Sequence, residues 1–268
     1  MDIVHRAAGM ALMQLCAENL SYGYAQRTIG EGLSFSLDAG EALCVLGPNG
    51  SGKTTLFRTL LGLLRAKAGS ILLDGKQLAY WPRPELAQAL AYVPQAHEGV
   101  FAFTVEEIVL MGRTAHLGLF ASPSAADREK AQAAIAQLGL EHLTHNIYTR
   151  ISGGERQLTL IARALAQGAR LMVLDEPTAS LDFGNRARVL EILARIAASG
   201  IGVLFSTHHP DEAFACAQRV MMLREGRMIA MGKPGEVISA AHLETLYGVP
   251  VQVVDVPGGR ACLPVIRH

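Results

Sequence analysis

Short apolar runs alternate along the chain with stretches whose apolar residues recur at helical spacing, the pattern of an α/β domain built on a mainly parallel sheet. "ALCVL" (42–46), "LMVL" (171–174) and "GVLF" (202–205) are unbroken apolar runs of strand length, which predicts strands buried on both faces. Each gives way to polar residues at its C-terminal end. In an open parallel sheet, ligands gather beyond that end, so the chemistry is expected along one edge.

Between the strands, "DREKAQAAIAQLGL" predicts a helix capped by Asp127, with Ala131, Ile135 and Leu138 on one face and a stop at Gly139. Residues from about 97 to about 168 read as helix or loop throughout, a helical subdomain inserted into the sheet domain. "RVMMLREGRMIAMG" predicts two strands turning at Glu225-Gly226. The tail from Pro234 is expected to hold one short helix and an extended end, "VPVQVVDV". The organisation predicted is an N-terminal extension over residues 1–12, then one domain over 13–268, with the hairpin and tail at about 219–268.

Composition narrows the picture. A chain of 268 residues, half of them hydrophobic, can bury a large core. Lys plus Arg equals Asp plus Glu at 24 each, so no broad field draws the molecule to nucleic acid or anionic lipid, and a nucleic-acid partner is not expected. Cys16, Cys44, Cys216 and Cys262 are dispersed with no C-x-x-C pair, as in a reducing compartment. The N-terminal stretch lacks a signal-peptide pattern and no run of about 18 apolar residues occurs, so neither export nor membrane crossing is expected.

The chemistry concentrates in a few strings. Gly47-Pro48-Asn49-Gly50-Ser51-Gly52-Lys53-Thr54-Thr55 lies between a predicted strand and a predicted helix, the context a phosphate-binding loop requires. Its glycines let backbone N–H groups converge on phosphate, Lys53 would reach the β- and γ-phosphates, and Thr54 would offer a hydroxyl to Mg²⁺. "LMVLDE" ends in two carboxylates from which a buried strand gains nothing structurally. Asp175 suits the Mg²⁺ shell, and Glu176 suits orienting and deprotonating the water that attacks the γ-phosphate. "STHHP" is a third strand end with two histidines, either of which could bond the γ-phosphate or simply serve the structure. Gln95 in "YVPQ" could ligate Mg²⁺ or be a solvated amide. "ISGGERQ" (151–157) starts a further helix with a hydroxyl and two glycines, a second phosphate grip that one chain does not obviously need.

Together these strings resemble the ATPases of ATP-binding cassette (ABC) transporters: Walker A at 47–55, a Q-loop glutamine at Gln95, the signature "SGGE" (Ser152, Gly153, Gly154, Glu155), Walker B at 171–176, "SLD" at 180–182 and a switch histidine occur in the family's order. The resemblance spans about residues 15–250. It implies a P-loop NTPase fold with an N-terminal antiparallel β-subdomain and an inserted helical subdomain. It also implies ATP and Mg²⁺ as ligands and a head-to-tail homodimer in which the signature of one copy binds the γ-phosphate held by Lys53 of the other. By the same resemblance Tyr24 stacks on adenine, Asp182 contacts the opposite copy, and Gln95 relays motion to the membrane partner. The switch role falls to His208, with His209 standing where the family usually has Asp. Ile151 replaces the usual leucine before "SGGE", a volume-conserving change.

"MGRTAHLGLFASPSAADRE" (111–129) and "LYGVPVQVV" (246–254) are similar to the branch that imports metal chelates such as siderophore iron, haem or cobalamin, with molybdate importers as near relatives. This implies a peripheral subunit on the cytoplasmic face of a bacterial inner membrane, working with a polytopic permease and, indirectly, a solute-binding protein. A P-loop kinase would have no use for "SGGE", and the non-transport cassette ATPases tend to carry tandem cassettes or long coiled-coil insertions.

Overall fold

A computed structural model describes residues 14–95, 102–118, 120–256 and 259–265. In chain order it holds β1 (Gln14–Tyr24), β2 (Arg27–Asp38), β3 (Ala42–Leu46), α1 (Lys53–Leu60), β4 (Ala68–Leu73), β5 (Lys76–Gln77), α2 (Arg83–Ala89) and β6 (Leu90–Val93). There follow α3 (Val105–Leu110), α4 (Ala125–Gln137), α5 (Gly153–Gln167), β7 (Leu171–Leu174), α6 (Phe183–Ala198), β8 (Gly202–Thr207) and α7 (Pro210–Cys216). The chain closes with β9 (Arg219–Arg224), β10 (Arg227–Gly232), α8 (Pro234–Val237), α9 (Ala240–Tyr247), β11 (Val251–Val256) and β12 (Gly259–Pro264).

The central sheet has the order β10-β9-β3-β8-β7-β6, parallel except for the edge strand β10. All five residues of β3 and all four of β7 are buried, as the unbroken apolar runs predict; β8 runs on to Thr207, two residues past its apolar stretch. A second sheet, β2-β1-β4-β5, is antiparallel. Helix α1 lies between the two sheets and buries Leu56, Phe57 and Leu60 completely, each contributing ~1.5–3 kcal/mol of transfer free energy. That packing fixes the helix whose N-terminus follows the phosphate loop.

On the other face, α3, α4 and α5 pack on one another and on a core that includes Val105, Val109, Ala131, Ile135 and Ile161. Among the described residues the stretch from 102 to 168 is helical or irregular apart from one bridge, Thr104 to Ile147. Helix α4 begins three residues earlier than predicted. Its cap is Ser124, and Asp127 is the third helical residue, returning its carboxylate to the Ser124 N–H and hydroxyl in a capping box. Helix α1 ends at Leu60, short of the "LGLL" (61–64) that continues its apolar pattern.

The tail is richer than expected. It has two helices, α8 and α9, and its extended end is one strand of a hairpin, β11 with β12, whose Val251, Val253 and Cys262 pack on the core. Residues 1–13, and with them the predicted extension and Met13, lie outside the described residues, as do 96–101 and 119.

Candidate active site

Four parallel strands deliver the predicted residues to one edge. The end of β3 leads into the phosphate loop, β7 into Asp175 and Glu176, β8 into His208, and β6 toward Gln95. Register keeps these ends level: Leu46 pairs with Thr207, Leu174 with Phe205 and Val93 with Leu174. The ladder continues past the strands, since the Gly47 N–H donates to the Thr207 carbonyl at 3.1 Å and the Asp175 N–H to the Val93 carbonyl at 2.9 Å.

In the loop itself, Gly50 and Gly52 take φ of +80° and +102°, which an L side chain resists. A Cβ on Gly47 would lie 2.2 Å from the Leu223 carbonyl oxygen, so the loop can follow this path only with glycine there. Asn49, Gly50 and Thr54 are exposed, Pro48 is partly buried, and Ser51, Lys53 and Thr55 are buried. The Ser51 hydroxyl is buried without a hydrogen-bond partner, a donor available to an anion in the loop. The Lys53 ammonium donates to the carbonyls of Gly47 at 2.7 Å and Pro48 at 3.0 Å, and pairs with Glu176 Oε1 at 3.2 Å.

The two acids are tied by a residue that the sequence pattern did not single out. Ser206, fully buried in β8, donates its hydroxyl to Asp175 Oδ1 at 2.8 Å and accepts the Glu176 N–H at 2.9 Å. Glu176 has φ +46°, a left-handed conformation that a non-glycine residue adopts at a cost of ~1–3 kcal/mol. The turn points its carboxylate back between Lys53 and His208, whose Nδ1 lies 3.5 Å from Glu176 Oε2. His208 packs against His209, with ring centroids 4.1 Å apart. Burial and the neighbouring His208 hold the His209 imidazole below its ordinary pKa.

Behind the cluster, the buried Glu212 carboxylate accepts from the hydroxyls of Thr207 at 2.6 Å and Thr178 at 2.8 Å. It thereby joins the loop after Glu176 to the turn before His208. Neither threonine carries a sequence signal of its own.

The remaining predicted residues stand apart from this cluster. Ser152 caps α5 and is exposed with Gly153. Its hydroxyl donates to Glu155 Oε2 at 2.7 Å and its N–H to the same oxygen at 2.8 Å. Glu155 is thus occupied in the capping box of α5, and these bonds from Ser152 hold its carboxyl below the ordinary range. Gly154 is buried against Asn185, which donates to Asp182 at both carboxylate oxygens, Asp182 being the exposed cap of α6. Tyr24, 46 % exposed, ends β1, and Gln95 is exposed just beyond β6.

The residues fit a magnesium nucleotide. The loop offers a buried unpartnered hydroxyl and an ammonium, and the Thr54 hydroxyl and the Asp175 carboxylate are oxygen donors of the kind that could hold Mg²⁺.

Comparison with known proteins gives the family of the chain. Residues 31–179 match the family model described as ABC transporter. The chain is 40 % identical to a hemin import ATP-binding protein of Myxococcus xanthus, covering 87 % of this chain and 88 % of the relative. It is 38 % identical to a molybdate import ATP-binding protein of Haemophilus influenzae, covering 88 % and 89 %. Among solved structures, an inward-facing ABC transporter assigned to the metal-chelate type superposes with a TM-score of 0.84 at 34 % identity, covering 95 % of this chain and 98 % of that one.

Proposed function

Because the chain belongs to the ABC transporter family and is an ATP-binding subunit that hydrolyses ATP to power transport, we propose that two copies close head to tail on two ATP molecules and drive uptake of a metal chelate. The observation that carries this reading is the Lys53–Glu176–His208 cluster on the sheet edge, set against a signature helix whose capped start, Ser152 and Gly153, faces outward. A cluster suited to grip phosphate and a second grip that stands exposed away from it make sense together if each completes the other's site in a second copy.

In this reading the triphosphate draws the Lys53 ammonium away from the Gly47 and Pro48 carbonyls and from Glu176. The Glu176 carboxylate then accepts a proton from the attacking water, held in place by Ser206 and by its own left-handed turn. His208 donates a hydrogen bond to the γ-phosphate while its other nitrogen faces Glu176. Asp175, kept in orientation by Ser206, and Thr54 hold Mg²⁺, with Gln95 as a further oxygen donor; the ion, when bound, neutralises charge building on the β- and γ-phosphates. Tyr24 lies under the adenine. Ser152 exchanges its bond to Glu155 for the γ-phosphate of the opposite copy, and Asp182 meets that copy across the interface. Hydrolysis removes the group both copies hold, and the dimer opens.

Importer ATPases of this family work with transmembrane permease subunits, and among the described residues no helix is long and apolar enough to cross a membrane. We place the chain peripherally on the cytoplasmic face of the inner membrane, bound to a permease that receives its solute from a binding protein. The hemin-importing relative and the metal-chelate transporter support a chelate as cargo. The molybdate-importing relative, at nearly equal identity, favours a second reading in which the cargo is an oxyanion. Deleting the gene and measuring uptake of labelled haem, ferric siderophore, cobalamin and molybdate distinguishes the two: loss of a chelate alone supports the first, loss of molybdate alone the second.

A further inference from the structure

The turn carrying His208 is braced on its outer side by the C-terminal tail, which contributes no residue to the phosphate loop, the strand-end acids or the signature. Tyr247, the last residue of α9, donates its hydroxyl to the His208 carbonyl oxygen at 2.9 Å. The Cys262 N–H of β12 donates to Asp211 Oδ1, three residues further along, at 3.2 Å. The His208 carbonyl precedes the cap of α7, His209; the Glu212 N–H of that helix goes to the His209 carbonyl at 3.2 Å, and Tyr247 supplies the donor to the His208 carbonyl. The Tyr247 ring is packed on the main core, and burial raises its pKa, so the phenol stays protonated and able to donate. On the inner side Glu212 holds Thr207 and Thr178. The imidazole leaves the backbone between these two anchors, with His209 on one side and Glu176 Oε2 at 3.5 Å on the other.

We propose that Tyr247 is a positioning residue for His208: by fixing the His208 carbonyl it sets where the imidazole points, and it ties hydrolysis to the seating of the C-terminal helix and hairpin. This rests on the reading of His208 as the group that meets the γ-phosphate. A side chain that touches neither phosphate nor water but aims one that does should act on turnover and leave nucleotide affinity alone.

Tyr247→Phe keeps the ring and removes only the donor. In ATPase assays with magnesium, kcat is expected to fall about tenfold while KM and the affinity for a fluorescent ATP analogue stay within about twofold. The melting temperature should stay within about 4 °C. His208→Ala, assayed in parallel, should lose at least about a hundredfold, and adding Tyr247→Phe to it should change the residual rate less than about twofold. Wild-type kcat in Tyr247→Phe beside an impaired His208→Ala would overturn the role of Tyr247 alone, as would an undiminished tenfold loss on the His208→Ala background. Wild-type turnover in His208→Ala would overturn the reading of His208 itself, and a fall in Tyr247→Phe that tracks a lowered melting temperature would reduce the tyrosine to packing.

Discussion

Lys53 and Glu176 form an ion pair, Nζ to Oε1 at 3.2 Å, with side chains 5 % and 13 % exposed. The cation proposed to bind phosphate and the carboxylate proposed as base therefore neutralise each other beside the sheet edge, and the Gly47 and Pro48 carbonyls accept from the same ammonium. Burying two charges this closely is costly unless they are paired and hydrogen-bonded. A triphosphate can replace the carboxylate as the lysine's partner, which leaves Glu176 free as nucleotide binds.

Glu176→Gln preserves shape and removes the base. Turnover is expected to fall by ~10²–10⁴ while ATP binding persists, and the unhydrolysed nucleotide should hold two copies together. Size-exclusion chromatography with ATP and Mg²⁺ should show the dimer. A variant that stays monomeric across concentrations would count against closure on ATP.

Ser152→Arg places a bulky cation at the exposed start of α5, where it cannot disturb Lys53 within its own chain. Hydrolysis is expected to be lost, with the affinity of the monomer for a fluorescent nucleotide within about twofold of wild type. An equal loss of monomer affinity would contradict the assignment of Ser152 to the partner's ATP.

Gly154→Ala tests how the signature helix is seated. An added Cβ would lie 2.4 Å from Asn185 Cγ, and Asn185 is what holds the Asp182 cap of α6. Moving Asn185 aside should destabilise the fold by about 1–3 kcal/mol in urea titrations and weaken dimerisation more than Gly153→Ala, whose Cβ meets open space. Equal behaviour of the two variants would refute the coupling.

Acid stability should depend on Asp127. The Ser124 hydroxyl and then Arg113, whose Nε lies 2.9 Å from Asp127 Oδ1, hold this carboxyl well below the ordinary range. A depressed carboxylate stabilises the fold fully above its unfolded pKa of about 4, and that contribution drains away as pH falls toward the folded value. The stability difference between wild type and Asp127→Asn, measured by urea unfolding, should be constant above about pH 5 and shrink below it. A difference that does not change with pH would show that the charge is not what stabilises this end of α4.

Much of this site could be read from sequence, because a phosphate loop needs glycine and lysine at fixed spacing and strand-end acids stand out against apolar runs. Ser206, Thr178 and Thr207 escaped because hydroxyls inside or beside a strand are ordinary, and only the fold reveals that they aim at Asp175, Glu176 and Glu212. Tyr247 escaped for the same reason: its partner is a backbone carbonyl 39 residues away. The cap of α4 does carry a signal: "SAAD" has the capping-box spacing, with Ser124 as the cap and Asp127 as its third-residue partner. The final hairpin is signalled too, by Pro257-Gly258-Gly259 between two apolar stretches.

The account depends on one triphosphate being held by two chains, and a crystal structure of Glu176→Gln grown with ATP and Mg²⁺ tests it most directly. The expected result is a two-fold dimer in which the γ-phosphate bound by Lys53 of one copy accepts a hydrogen bond of about 3 Å from Ser152 of the other. Ser152 found exposed to solvent and remote from every triphosphate in the assembly would contradict it.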